Sequence, residues 1–325
     1  MIKYFLISGG CGFIGLSVVD YLLTHFPGCH IRVLDNFHSG AAIDLAGVCS
    51  YELIYPGHNF TSSSGVFLLQ GDIRDSEICN FAAKGVQCVI HLAANTGVGP
   101  SVENPRLDLD CNVIGTFNML EASRGAGVDK FIFASSGAPV GDIVPPIHEE
   151  VPAHPVSPYG ASKLAGEGYC SAYYKTFGLN TVCLRFGNVY GPRSSKKSSV
   201  VARFIRQGIA GETCYIFGDG LQTRDFIYVD DLVGAVIKAI ENPVGGEVFQ
   251  IATGKEHNVA EVAEIIKALL ANRGIDMNVE YGTARLGDVM RNYSDTSKAF
   301  RMLGWKSTMD VSVGIEKTID WFLSA

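Results

Sequence analysis

The stretch Ser8-Gly9-Gly10-Cys11-Gly12-Phe13-Ile14-Gly15 constrains the chain more than any other. An apolar run, Ile2 to Ile7, precedes it and reads as a buried strand. Leu16 to Leu23 follows, with apolar residues at helical spacing. The glycines therefore sit on a strand-to-helix turn. There the backbone can approach a pyrophosphate closely, and the first N–H groups of the helix can hold it. The spacing is G-x-x-G-x-x-G at Gly9, Gly12 and Gly15, with Phe13 and Ile14 opening the helix.

Ile31 to Asp35 reads as a second strand, ending in an acid about 20 residues past the glycines. An acid there accepts hydrogen bonds from an adenosine ribose and repels a 2′-phosphate. Asp35, followed by Asn36, thus favours NAD over NADP. Val66 to Gln70 reads as a third strand running into Gly71-Asp72-Ile73-Arg74-Asp75. Asp72 can accept from an adenine amino group while Ile73 packs on the ring; Asp75 can cap the next helix. Between them, His38 to Ser64 reads as an irregular surface excursion.

Cys88 to Ala94 reads as a fourth strand whose small end, Ala93-Ala94, lets the backbone come near a cofactor, with Leu92 also a candidate cofactor contact. Pro105 to Gly125 reads as one long amphipathic helix with Asn112 in its middle, either bracing strand ends or an ordinary polar helix residue. Lys130 to Ser136 and Thr181 to Phe186 complete the strands. Strands alternating with helices at this pitch predict an α/β fold, a doubly wound parallel Rossmann sheet. Beyond Gly187 the pattern loosens, which predicts a smaller α/β substrate-binding cap domain. The expected division is 1–187 for the dinucleotide domain, with 225–254 returning to it, and 188–325 mainly for the second domain. The tail from Val259 reads as two helices around a loop at Tyr281 to Asp295.

Composition narrows the function. A net charge of −7 argues against nonspecific nucleic-acid binding. No apolar run reaches a membrane span. The nine cysteines are scattered, without a C-x-x-C pair, so neither a metal site nor a redox dithiol is expected. Reduced thiols and the lack of a secretory leader suggest a cytoplasmic protein.

Tyr159-Gly160-Ala161-Ser162-Lys163 sets a tyrosine and a lysine four apart, on one helix face. A free tyrosine, with a pKa of about 10, is almost wholly protonated at neutral pH. A nearby ammonium, with the positive ring of an oxidised nicotinamide, acts to lower that value. Ser136, ending the adjacent strand, can hydrogen-bond the same substrate oxygen. A base, its tuner and an orienting hydroxyl suit removal of a carbinol proton while hydride leaves to NAD.

With these motifs in view, the chain resembles an extended short-chain dehydrogenase/reductase of the NAD-dependent nucleotide-sugar epimerase/dehydratase family. It is most similar to the UDP-glucose 4-epimerase-like branch. The resemblance rests on Gly9-x-x-Gly12-x-x-Gly15, Asp35-Asn36, Gly71 to Asp75, His91 to Ala94, Asn112, Ser135-Ser136, Tyr159-x-x-x-Lys163 and Arg224 to Asp231. It implies that Tyr159 is the base, that Lys163 holds the nicotinamide ribose, and that Ser136 supports the sugar 4-hydroxyl. It further implies a UDP-sugar substrate, with Asn188, Ser199 and Val200 at the diphosphate and Phe217 near the uracil. Arg224 and Arg285 would also meet the diphosphate, and Asp288 lines the substrate. Many members dimerise through two long helices, which correspond here to Pro105–Gly125 and Pro158–Phe177.

The segment after Ser136 is Gly137-Ala138-Pro139-Val140, without the acids that dehydratases and decarboxylating members of the family carry. That favours reversible 4-epimerisation of a UDP-hexose through a transient 4-keto sugar. Asn292 aligns with a gate that is bulky in strict glucose/galactose enzymes, which keeps an N-acetylhexosamine open. Arg193, Lys196 and Lys197 can greet a uronate carboxylate, or form a solvated loop. The remaining alternatives are another oxidoreductase or dehydratase reaction of the family, and an NAD-sensing interaction protein.

Overall fold

The computed structural model describes residues 2–58, 64–284 and 289–324. The chain opens with β1 (Tyr4–Ser8), α1 (Phe13–His25), β2 (His30–Asp35), α2 (Ala42–Ala46), β3 (Glu52–Ile54), β4 (Gly65–Gln70), α3 (Ser76–Ala83) and β5 (Cys88–His91). It continues through α4 (Val98–Glu103), α5 (Pro105–Leu109), a π-helical turn at Asp110–Ile114, α6 (Gly115–Ala126), β6 (Lys130–Ser136), α7 (Pro158–Phe177) and β7 (Thr181–Phe186). Then come β8 (Asn188–Tyr190), α8 (Val200–Ile209), β9 (Cys214–Phe217), β10 (Thr223–Arg224), β11 (Phe226–Tyr228), α9 (Val229–Glu241) and β12 (Glu247–Ile251). The chain ends with β13 (His257–Asn258), α10 (Val259–Ala271), β14 (Val279–Gly282), α11 (Ser297–Leu303) and α12 (Val311–Ser324).

Eight strands form one sheet in the order β12-β7-β6-β5-β1-β2-β4-β3. The ladders β5–β1, β1–β2, β2–β4 and β5–β6 are all parallel. Helices cover both faces, so central strands are apolar throughout: Phe5, Leu6 and Ile7 are fully buried, as are Val89 and Ile90. Strand order reverses between β1 and β5. In a doubly wound sheet that reversal opens a crevice at the carboxyl ends of the strands.

The structure comprises two compact units. One is Met1–Gly141, Val151–Arg185 and Val236–Phe249; the other is Asp142–Glu150, Phe186–Ala235 and Gln250–Ala325. The second has its own core, with Tyr190, Phe204, Ile205, Ile266 and Ile315 at its centre. Two short parallel pairs, β8–β11 and β9–β14, run through it.

Three local expectations are corrected. The 38–64 excursion carries α2 and β3, and β3 adds a parallel edge strand through Leu53 opposite Leu68. The helix expected over Pro105–Gly125 is broken: the Gly115 N–H reaches back to the Asp110 carbonyl, a π-type turn around Asn112. The tail holds three helices rather than two, because Gly304 adopts φ 64 and ends α11, and Tyr281 belongs to strand β14.

Candidate active site

The glycine turn leaves β1 at the switch point and lies against the exit of β5. Gly9 has φ +73, and a Cβ there would lie 2.8 Å from the Ala93 nitrogen. A Cβ on Gly15 would collide with the Gly9 carbonyl. Gly12 caps α1 without any side-chain acceptor, so the first turn, Phe13 and Ile14 included, presents its N–H groups outward. This bare, positive helix start fits a dinucleotide pyrophosphate.

Asp35 is buried and accepts the N–H groups of Cys11 (2.9 Å) and Phe37 (2.8 Å). It therefore ties the glycine turn to β2, and burial raises its pKa. Asn36 donates to Asp72 at 2.8 Å. Asp72 also takes the Arg74 guanidinium on both oxygens, which holds its carboxyl well below the usual range. Ile73 is buried in the core, its side chain filling the space above Gly115. Asp75 caps α3, accepting from Glu77 and Ile78.

Beyond β5, Leu92 bonds the Ser8 carbonyl and Ala93 donates to the Ser8 hydroxyl. Here a polarised chain begins. Ser8 Oγ and His91 Nδ1 are 2.6 Å apart, and His91 Nε2 and Thr116 Oγ1 are 3.1 Å apart. Thr116 gives its own proton to the Asn112 carbonyl, so His91 must donate from Nε2 and accept at Nδ1. Burial pushes this histidine down to about 3, so it stays neutral. Asn112 is buried and joins three segments, the stretch after β5, α5 and α7. Its amide oxygen accepts from Asn95, and its nitrogen donates to the Asn95 carbonyl, Asp108 and Ser162.

Helix α7 starts at Ser157, whose hydroxyl accepts the Gly160 N–H, with Pro158 at the first position. Tyr159 and Lys163 then share one face. Ser136, near the Tyr159 hydroxyl, acts to lower its pKa, but burial dominates and pushes it up to about 12. Lys163 Nζ lies 5.9 Å from the Tyr159 ring centre and donates to the Ala134 carbonyl at 2.9 Å. The lowering expected from the lysine together with an oxidised nicotinamide ring is an expectation for the NAD-bound protein; the ammonium itself is tethered to a strand carbonyl, and burial is the largest influence on the hydroxyl. Burial also lowers Lys163 to about 8.

Sequence reasoning missed three buried partners. Glu167, one turn beyond Lys163, accepts from Ser135 (2.6 Å) and forms a two-pronged pair with Arg185 (2.8 Å each). Its four-residue spacing from Lys163 was a usable signal. Asp108, four residues before Asn112, is 1% exposed and accepts from it at 2.8 Å. Among the described residues, no cluster of three or more His, Cys, Asp or Glu is placed to hold a metal.

In the second unit, Asn188, Ser199, Val200, Phe217 and Arg224 line one cavity of about 190 Å³. Gln222 and Arg203, which the sequence reading did not single out, line it too. Gln222 donates to the Phe217 carbonyl, and the Arg203 guanidinium sits 5.5 Å over the Phe217 ring. Arg224 donates to the carbonyls of Thr223 and Val289. The Ser199 hydroxyl is buried without a partner among the described residues. Asp225, buried in the same unit, gathers the N–H groups of Thr253, Gly254 and Ser294. Arg193 and Asn292 do not line this cavity, and Arg285 and Asp288 lie outside the described residues.

A nucleotide turn at a sheet's switch point, beside a tyrosine–serine pair and a lysine on the tyrosine's helix, marks a short-chain dehydrogenase/reductase. The chain belongs to the NAD dependent epimerase/dehydratase family, whose model matches residues 5–252. Its cofactor is NAD. It is 36% identical to the UDP-glucose 4-epimerase of Mycolicibacterium smegmatis, over 98% of this chain and 97% of that protein. It is 32% identical to a UDP-glucuronate 4-epimerase of Thermodesulfobacterium geofontis, over 98% and 95%. The Thermotoga maritima UDP-glucose 4-epimerase crystallised with UDP-glucose superposes with a TM-score of 0.88 at 35% identity, covering 98% of each chain.

Proposed function

We propose that the protein is a UDP-hexose 4-epimerase. The observation that carries this reading is that the strand ending in Ser136, which bears on the Tyr159 hydroxyl, continues as Gly137-Ala138-Pro139-Val140, a segment with no acid or base for chemistry at a second carbon. Bound NAD supplies the acceptor and later the donor for the hydrogen on C4. Tyr159 takes the proton of the 4-hydroxyl while Ser136 orients that oxygen, and returns the proton after the 4-keto sugar has presented its other face. Lys163, held at Ala134, keeps positive charge near the tyrosine. In the first unit, Gly9, Gly12, Phe13, Ile14 and Gly15 take the pyrophosphate. Asp35 and Asn36 take the adenosine ribose, Asp72 and Ile73 the adenine side, and Leu92 to Ala94 the cofactor's path along β5.

In the second unit, the cavity lined by Asn188, Ser199, Val200, Phe217 and Arg224 takes the UDP moiety. The guanidinium fork of Arg224 suits phosphate oxygens. Exposed Leu109, Ile114, Phe117 and Tyr169, on α5, the π turn, α6 and α7, support a homodimer through those elements. Nine free thiols support a cytoplasmic setting.

The test is incubation of the purified protein and NAD with UDP-glucose, UDP-N-acetylglucosamine and UDP-glucuronate, products resolved by NMR. A 4-epimer without net NADH is expected, and it identifies the sugar. A 4-keto-6-deoxy or decarboxylated product would overturn the reading. Tyr159→Phe should lower turnover at least about 100-fold while NAD binding persists; unchanged turnover would favour a non-catalytic NAD sensor.

A further inference from the structure

Tyr159 opens α7 and Ser136 ends β6, so the place of one relative to the other is set by how this helix lies on this strand. Beyond Tyr159, α7 meets β6 at successive turns. Lys163 Nζ donates to the Ala134 carbonyl at 2.9 Å. Gly166 lies so close to β6 that a Cβ there would collide with the Phe133 ring. The Glu167 carboxylate accepts the Ser135 hydroxyl at 2.6 Å.

The two hydrogen bonds differ in what else their groups do. Lys163 carries a charge that the proposed chemistry itself uses. Ser135 and Glu167 have no part in that chemistry, so their bond can act only through position. It is also a firm bond. The Arg185 guanidinium takes both Glu167 oxygens at 2.8 Å each, and both side chains are about 5% exposed. A carboxylate held by a two-pronged cation has a fixed orientation, and a hydroxyl bonded to a charged acceptor is held more strongly than by a neutral one. The next hydroxyl along β6 is oriented too: Ser136 Oγ accepts the Ala138 N–H at 3.2 Å, which leaves its hydrogen for another acceptor. A base and an orienting hydroxyl that share one substrate oxygen tolerate little displacement; about 1 Å can cost about 100-fold in rate.

We propose that Ser135 and Glu167 are positioning residues: their hydrogen bond, braced by Arg185, fixes the register of α7 on β6 and so the placement of Tyr159 relative to Ser136. The bearing on turnover rests on the epimerase reading; the register itself does not. A bond of the same kind elsewhere on α7 provides the comparison. The Thr181 hydroxyl donates to the Cys170 carbonyl at 2.7 Å and ties the helix to β7 instead.

The experiment compares Ser135→Ala with Thr181→Val. Ser135→Ala leaves Glu167 both Arg185 bonds, so no charge is stranded. With NAD and the UDP-sugar that the wild type epimerises, its kcat should fall at least about 10-fold, while KM and NAD affinity stay within about twofold. Thr181→Val should lower the melting temperature yet leave kcat within about twofold. An unchanged kcat in Ser135→Ala, or an equal loss in both variants, overturns the proposal. A second readout does not depend on turnover. In NAD-bound protein labelled with ¹³C at tyrosine Cζ, the Tyr159 signal, assigned by its loss in Tyr159→Phe, should move beyond its linewidth in Ser135→Ala and stay in place in Thr181→Val. An unmoved signal in Ser135→Ala overturns the register. A wild type that epimerises no sugar would sink the epimerase reading, and the tyrosine signal would still decide the register. Should Ser135→Ala fail to fold, Glu167→Met combined with Arg185→Met removes the tie from the helix side, again without a stranded charge, and the same two readouts decide.

Discussion

Lys163 Nζ donates to the Ala134 carbonyl at 2.9 Å, so the lysine of the Tyr-x-x-x-Lys pattern is anchored to strand β6 rather than to its tyrosine. The anchor fixes where the positive charge stands relative to Ser136, two residues further along the same strand. It also explains why burial, not the ammonium, dominates the Tyr159 hydroxyl in the protein alone.

The contact of the two turns at the switch point makes glycine replacements unequal. Gly9→Ala combines an unfavourable φ of +73 with a Cβ 2.8 Å from the Ala93 nitrogen. It should cost about 1–3 kcal/mol of stability and abolish measurable NAD binding. Gly99→Ala, with open space around it, should do neither. Thermal melts and NAD titration of the two variants check this; equal behaviour would contradict the turn's proposed role.

Glu167 and Arg185 are each about 5% exposed on their side chains. Breaking such a pair strands a buried charge, so Glu167→Gln should cost about 3–5 kcal/mol. Adding Arg185→Met should recover part of that loss. Urea unfolding of both singles and the double closes the cycle, and strict additivity would show that the pair is not coupled.

His91 supplies a pH signature. Folded, it is pushed down to about 3 from an ordinary 6.5. Between those values the unfolded chain binds a proton that the folded chain does not. Stability from this group is therefore complete above pH 6.5 and falls towards pH 3, by about 1.4 kcal/mol per unit. His91→Gln should flatten that part of the stability–pH curve. A slope identical to wild type would place the acid sensitivity elsewhere.

Phe217 and the Arg203 guanidinium flank the cavity of the second unit. Phe217→Ala should weaken UDP binding about 10-fold, the scale of one lost aromatic contact, with little change in NAD affinity. Calorimetry with each ligand distinguishes this from general destabilisation, which would weaken both.

The features that sequence made legible are local ones. The glycine turn, the acid ending β2, the Asp75 cap and the shared face of Tyr159 and Lys163 depend on residues a few positions apart, where backbone geometry follows from residue type. The alternation of strands and helices likewise carried the doubly wound sheet. What tertiary structure decided depends on residues far apart in the chain. Asn112 meets Ser162 across 50 positions and Asn95 across 17, and those bonds turn an apparently continuous helix into α5, a π turn and α6. The tether of Lys163 to Ala134 spans 29 positions, and the pairing of Glu167 with Arg185 spans 18. The burial of Asp108 belongs to the same class. A charge's cost and a hydroxyl's pKa are set by what surrounds them, and only the folded chain assembles those surroundings.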